Sequence, residues 1–386
     1  MAGYLFTFKS PELLFECIRN GVYSTKMSPR WTQATESTLA DYVGMAPGDN
    51  VYFFSKRTVY GIGEIIEIAP GQTVINNVPS ATDGTVIDYK FIDPDPVIST
   101  DNSVFDEGRI QRWVIAFKPS PFFFETGIDM DDLLQSNPTA FRSLRVFWNR
   151  SFIKLDDEEN IAFKAALLRR NLNCLQTDCE TGHIECKYVQ SLRELANRHN
   201  ELSSPDIKNL LSLKRMPDGS LKTEMLLEIA LLNCLANKDS TEEVFGHWDY
   251  INHQVAASPM KAVDYMDRID IFGYRWLRGY EGHIIKDYLV AELKKDEATT
   301  DDLYQLMKYV DWVSREYASN DYFRLKAFLV ARYFDLESIK NDLGALERNQ
   351  LVGSRPAQNE IWSDVTLVTY EVEEDGEIIF SSLPVD

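Results

Sequence analysis

The chain has 386 residues, 44% hydrophobic and 26% charged, proportions ordinary for a soluble globular protein with room for two or three domains. Its formal net charge of −20 argues against indiscriminate nucleic-acid binding, because the overall field repels phosphate, although a local basic groove stays compatible with it. No stretch approaches the roughly 20 apolar residues of a membrane helix, "MAGYLFTFKS" lacks the form of a secretory signal, and an odd count of five cysteines describes no disulfide framework, so a cytoplasmic protein is expected.

In chain order, "YLFTFKS" alternates as a strand, and Ser10 and Pro11 then form a cap and first-turn pair for a helix over "SPELLFECIRNGVYS". "GDNVYFFS", "VYGIGEIIEI" and "RWVIAFKP" read as strands bordered by glycine and proline, so the first 70 residues read strand, helix, strand, strand. Residues 70–108 read mostly as loops around a strand "TVIDYKFI". "SFIKLDDEENIAFKAALLRRN" predicts a strand and a helix, with acids at the helix start and Arg169 and Arg170 at its end, both the favourable sign for the helix dipole. A connector follows, with "SLRELANRHNEL" as a helical piece.

The second half begins with the strongly apolar helix "KTEMLLEIALLNCLAN", carrying Glu224 and Glu228 one turn apart. "RIDIFGYRWLR" and "HIIKDYLVAELK" are two strands joined by the turn "GYEG". The helix "TTDDLYQLMKYVDWVSREYA" puts Leu303, Leu306, Met307, Val310 and Val313 on one stripe behind a threonine cap. "LKAFLVARYF" is a buried strand, and "VTLVTYEVEEDGEIIF" is a hairpin turning at Asp375-Gly376.

Chemistry concentrates here. Glu292 and Lys294 end an apolar run, and burying such charges is unfavourable unless they are paired, ligated or used. Residues i and i+2 of a strand share a face, so the two project together. An antiparallel hairpin brings Asp270 of the neighbouring strand beside Glu292, giving two oxygen ligands for a hard divalent cation, Mg²⁺ or Mn²⁺. Lys294 is then placed to orient an attacking water or to stabilise charge at a phosphate. An Asp and a Glu-x-Lys occur often as surface pairs, and a nucleic-acid or nucleotide sensor on a non-catalytic scaffold remains the alternative.

"DRIDIFGY" followed by "YLVAELKKDEATTDDLYQLMKYVDWV" resembles the catalytic core of the PD-(D/E)XK nuclease superfamily, and within it the NucS-type and antiphage Shedu-type nucleases. The resemblance covers about residues 220–335 and the closing "VTLVTYE". It implies a restriction-endonuclease-like mixed sheet flanked by helices, with Asp270, Glu292, Lys294 and Gln305 in the site. It also implies a helix acid, Glu224 in preference to Glu228, with Asp270, Glu292 and Glu224 as metal ligands. Ile269 stands where the family's name has proline.

"GYLFTFKSPELLFECIRNGVYST" and "GDNVYFFSKRTVYGIGEI" are similar to the PUA, EVE and YTH modules, small β-barrels with helices that bind RNA or a modified base, and the likeness continues through "RWVIAFKPSPFFF" and "SFIKLDDEENIAFKAAL". Such a reader needs aromatic faces, for which Tyr23, Trp31 and Trp148 are candidates; core packing is the plainer role for each. Arg142, Arg145, Arg150 and Lys154 form the best local phosphate-binding cluster. Cys174, Cys179, His183 and Cys186 are close enough in sequence to ring one Zn²⁺, although reduced thiols are the default. Cys17 and Cys234 read as core.

The expectation is therefore an α+β or α/β two-domain protein: a sensing domain at residues 1–172, a helical connector at 173–218 and a nuclease-like domain at 219–386. The expected function is Mg²⁺-dependent DNA endonuclease activity in restriction or antiphage defence, with DNA as partner, RNA as a further substrate to test, and a homo-oligomer supplying two sites.

Overall fold

In the computed structural model, described for residues 1–26, 31–75, 112–143, 151–172, 189, 193, 205–237, 241–257 and 266–384, the chain divides into two units, Met1–Asp206 and Ile207–Asp386. Both mix helices and strands. The strand "TVIDYKFI", the four Cys/His positions, Trp148, Arg145 and Arg150 lie outside the described residues.

In the first unit Ser10 Oγ accepts from Leu13 N ahead of the helix Pro11–Asn20, and Gly21 ends that helix in the left-handed conformation, φ +67°. The strands are β1 (Gly3–Phe8), β2 (Val22–Lys26), β3 (Asn50–Ser55), β4 (Thr58–Ile66), β5 (Val74–Ile75), β6 (Arg112–Asp129) and β7 (Phe152–Leu155). They form a seven-stranded sheet, in the order β2-β6-β4-β3-β1-β7 with β5 paired to β6, that curls into a half-barrel. Leu5, Tyr52, Phe141, Phe163 and Leu167 belong to its core cluster.

Two elements correct the sequence reading of this half. A helix, Gln33–Val43, stands between β2 and β3, opened by a Thr32/Thr35 capping box that the sequence reading passed over. The strand "RWVIAFKP" runs on to Asp129 through Pro119 and Pro121, pairing with both β2 and β4.

The helix Asp157–Arg170 starts at a capping box of Asp156 and Glu159, both buried. Burial and then the neighbouring Asp156 push Glu159 up to about 8, while burial raises Asp156 to about 6. A carboxyl raised in the fold holds its proton more tightly there than in the unfolded chain. The stability it contributes is therefore full below about pH 4.5 and is lost as pH rises through about 8. Amide-exchange protection of this helix in the full chain is expected to fall between about pH 4.5 and 8 and to level off above, and Glu159→Gln should flatten that fall. An unchanged pH slope in the variant would exclude Glu159 as its source.

The second unit holds a six-stranded mixed sheet in the order β15-β14-β11-β10-β9-β8. Its strands are β8 (Tyr250–Ala256), β9 (Arg268–Trp276), β10 (Ile285–Ala298), β11 (Leu325–Phe334), β14 (Val365–Val372) and β15 (Ile378–Leu383). A separate hairpin pairs β12 (Arg348–Val352) with β13 (Gln358–Trp362). β9 and β10 pair antiparallel, as the turn "GYEG" predicts, and β10 and β11 run parallel. The helix Thr300–Glu316 joins that parallel pair and buries Leu303, Leu306, Met307, Val310 and Val313. The helix Glu224–Asn237 is apolar nearly all round and is correspondingly buried, packing on β8 and β10. The helix Ile207–Lys214, assigned to the connector by sequence, belongs to this second unit. Among the described residues no helix is long and apolar enough to cross a membrane.

Candidate active site

Antiparallel register brings two acids together. β10 pairs Ala291 with Ile271, and one step further Leu293 N donates to Asp270 Oδ2 at 2.8 Å, so Asp270 and Glu292 meet at the end of the paired segment. Both are buried, at 8% and 1% exposure. Lys294 Nζ donates to Glu292 Oε1 at 2.6 Å, with Glu224 Oε2 at 4.0 Å and Asp302 Oδ1 at 3.8 Å. Asp302 is fixed by accepting from Thr299 N, at 2.8 Å, at the start of the helix Thr300–Glu316.

The electrostatics follow from four acids around one ammonium. Burial, then Glu292 and Glu228, raise Asp270 well above the ordinary carboxylate range. Burial lifts Glu292 to about 7 against the pull of Lys294. Burial also raises Glu224, opposed by Lys294. Lys294 is itself penalised by burial, yet Glu292, Glu224 and Asp270 more than offset that and raise it. Its side chain thus stays an ammonium at neutral pH, able to donate and to stabilise negative charge but not to act as a base.

Two facing carboxylates bond each other only if one is protonated. With both ionised, Glu292 Oε2 is buried without a hydrogen-bond partner; a proton on Asp270 supplies one. A hard divalent cation would satisfy the same oxygen, and the donor set of carboxylate oxygens suits Mg²⁺ or Mn²⁺. Among the described residues no three His, Cys, Asp or Glu side chains are grouped as a ready-made metal cage. Mg²⁺ commonly takes only one or two protein carboxylates and keeps water and phosphate oxygens for the rest, so this pair fits it.

The helix acids divide their roles. Glu224 opens its helix and reaches toward Lys294. Glu228, the alternative to Glu224 in the sequence reading, is 2% exposed, because its helix is covered on this side by β8. Its Oε1 lies 2.5 Å from His253 Nδ1, and its Oε2 accepts from Gln254 Nε2 at 2.9 Å. Gln305 donates to the hydroxyl of Tyr309 one turn on, at 2.9 Å. Burial and the nearby Glu292 and Asp270 raise the Tyr309 hydroxyl, so Gln305 borders the acid pair through Tyr309. His253, Gln254 and Tyr309 are absent from the sequence-derived set. Asp267 precedes β9 and pairs with Lys308 at 3.5 Å.

In the first unit the described candidates are engaged internally. Tyr23 is buried among Phe6, Phe8 and Phe152, its hydroxyl donating to Thr7 O. Trp31 is partly exposed, donates from Nε1 to Glu36 at 2.8 Å and meets Trp113 edge to face. Arg142 lies 3.5 Å from Asp156 and 3.0 Å from Glu158. Lys154 donates to Gly44 O at 3.0 Å and lies over the Tyr4 ring, and burial lowers it to about 8 despite Asp49. The helix start and Asp49 thus absorb the two cations that the sequence offers to phosphate.

No family model matches this chain, and no curated protein matches it significantly. Among solved structures it is similar to a hypothetical protein from Leishmania major, at 16% identity over 45% of this chain and 97% of that one, with a TM-score of 0.26. It is also similar to protein Atu2648 from Agrobacterium tumefaciens, at 12% identity over 43% and 93%, with a TM-score of 0.24. At those scores the likenesses carry no weight for fold or function.

Proposed function

We propose that the chain is a metal-dependent nuclease that hydrolyses phosphodiester bonds of DNA, with its site at Asp270, Glu292 and Lys294. The observation that carries this reading is the burial of Asp270 against Glu292, beside an ammonium held 2.6 Å away. A structural ion pair needs one acid per cation, and a second buried carboxylate is unfavourable unless something compensates its charge. Asp270 and Glu292 would hold Mg²⁺ or Mn²⁺, with Glu224, now beside Lys294, as the further carboxylate that could move onto it. The bound cation supplies a Lewis acid that polarises the phosphodiester and assists the attack of water.

The protein's own groups do the rest. Leu293 N fixes one oxygen of Asp270 and Gln254 Nε2 the other. Lys294 stays charged and donates to a phosphate oxygen or to the attacking water. Gln305 orients the Tyr309 hydroxyl, which lies within the electrostatic reach of the acid pair. The first unit, in this reading, is a nucleic-acid sensing module of the PUA, EVE or YTH kind, with Trp31 as its partly exposed described aromatic. Restriction or antiphage defence, and a homo-oligomer that cuts both strands, complete the proposal.

The test is cleavage of duplex and single-stranded DNA and of RNA, in Mg²⁺ and in chelator, with wild type and Lys294→Ala. Cleavage of DNA should require the cation and fall about 10²–10³-fold in the variant. Preference for RNA would reassign the substrate. Cleavage indifferent to both cation and Lys294, or none on any substrate, would favour a binding protein on a non-catalytic scaffold.

A further inference from the structure

Successive residues of a strand point to opposite faces. β8 breaks that rule at one place: His253 and Gln254, adjacent in sequence, both reach Glu228, at 2.5 and 2.9 Å. The backbone is irregular at the same place. Gln254 has φ +51°, in the left-handed region that residues other than glycine, asparagine and aspartate seldom adopt, while its neighbours stay in register, His253 with Ile271 and Val255 with Ile269. In this register Gln254 stands opposite Asp270, which itself stands opposite Glu292, so its side chain shares the face of the acids. Its Nε2 donates to Glu228 Oε2 at 2.9 Å and to Asp270 Oδ1 at 3.0 Å.

An amide nitrogen has two hydrogens, and here both are used on carboxylates. The opposite amide orientation would set a carbonyl oxygen against two carboxylates, so the chemistry fixes which atom faces them. Strain kept at one residue of an otherwise regular strand, next to a cluster of acids, points to a role beyond holding the sheet together.

We infer that Gln254 is a positioning residue for the proposed metal site, its single amide orienting Asp270 toward Glu292 while tying down Glu228 on the facing helix. It acts through Asp270: the Leu293 amide holds Oδ2, Gln254 holds Oδ1, and between them the carboxylate is fixed in plane. Glutamine suits the task because it donates without adding charge. A glutamate there would repel both acids, and a lysine would compete with a cation. Outer groups of this kind set metal affinity by orienting the ligand itself.

This inference rests on the nuclease reading, and the test separates the two. Mn²⁺ alone is titrated into the full chain without nucleic acid, followed by the electron paramagnetic resonance of free Mn²⁺, for wild type, Gln254→Gly and Gln254→Asn. Glycine and asparagine accept the left-handed backbone, and neither spans to both acids. Mn²⁺ binding should weaken about 10–100-fold in both variants while the thermal midpoint is unchanged or raised. Affinity within twofold of wild type would overturn the role of Gln254 and leave the nuclease reading standing. Weaker binding that appears only with a lowered midpoint in both variants would make Gln254 structural. A wild type that binds no Mn²⁺ and cleaves nothing would overturn both.

Discussion

Glu292→Gln is expected to abolish cation-dependent cleavage, by about 10³-fold or more, while making the second unit more stable. The two effects have one origin. Glu292 is 1% exposed, so burial disfavours its ionised form and, with Glu224 adding to it, lifts it to about 7 from 4.5 against the pull of Lys294 and the hydrogen bond of Asp270. Because the shift is upward, this carboxylate opposes folding at pH 8, where it is ionised in both states. Glutamine keeps the shape and an oxygen for Lys294, and removes the charge. Lys294 retains Glu224 and Asp302 as partners at 4.0 and 3.8 Å. The gain should be on the order of 1–3 kcal/mol, a rise of several degrees in the second unit's thermal midpoint at pH 8, shrinking toward pH 5. Calorimetry of the full chain and a cleavage assay on the same sample check both halves. Cleavage at wild-type rate would remove Glu292 from the site, and a lowered midpoint would make it a structural ion pair.

The acids of this site were legible because they interrupt patterns. Glu292 and Lys294 stand at the end of an apolar strand, and Asp270 stands in another, where charge needs a reason. The helices around them were legible for the same kind of cause: a stripe from Leu303 to Val313, and an almost wholly apolar run after Glu224. Gln254 was not, because "YINHQVA" alternates weakly and a left-handed backbone angle leaves no trace in residue type when the residue is glutamine. The burial of Glu228 was not legible for a related reason. Helical spacing places it one turn from Glu224 but cannot say which neighbour covers that face, and β8 covers it. Lys154 and Arg142 show the limit of charge counting: both look like phosphate ligands in sequence, and both are satisfied by the main chain or acids of their own unit.

Gly376→Ala is expected to be the most destabilising conservative change in the second unit, by about 3–5 kcal/mol. The turn "EEDG" joining β14 to β15 needs Gly376 at φ +87°, and its amide donates to Glu373 O at 2.9 Å. That conformation alone costs a residue with a side chain about 1–2 kcal/mol. Steric overlap costs more. A Cβ at this position would overlap the carbonyl oxygen of Lys208 and stand 2.8 Å from Ser212 N, both main-chain atoms of the helix Ile207–Lys214. The helix cannot retreat cheaply. Ser212 Oγ donates to Glu374 O at 2.7 Å, and Arg215 Nε to Val372 O at 2.8 Å. β14 in turn hydrogen-bonds β11, and β11 the strand that carries Glu292, so loosening the turn works inward toward the acids. Lys208→Ala is the contrasting control. Its ion pairs with Asp375 and Glu377 are open to solvent and screened by it, so their loss should change stability far less than Gly376→Ala. Denaturant unfolding of the full chain compares the two variants. Equal midpoints would mean that charge, and not the close approach of two backbones, holds the hairpin to the helix.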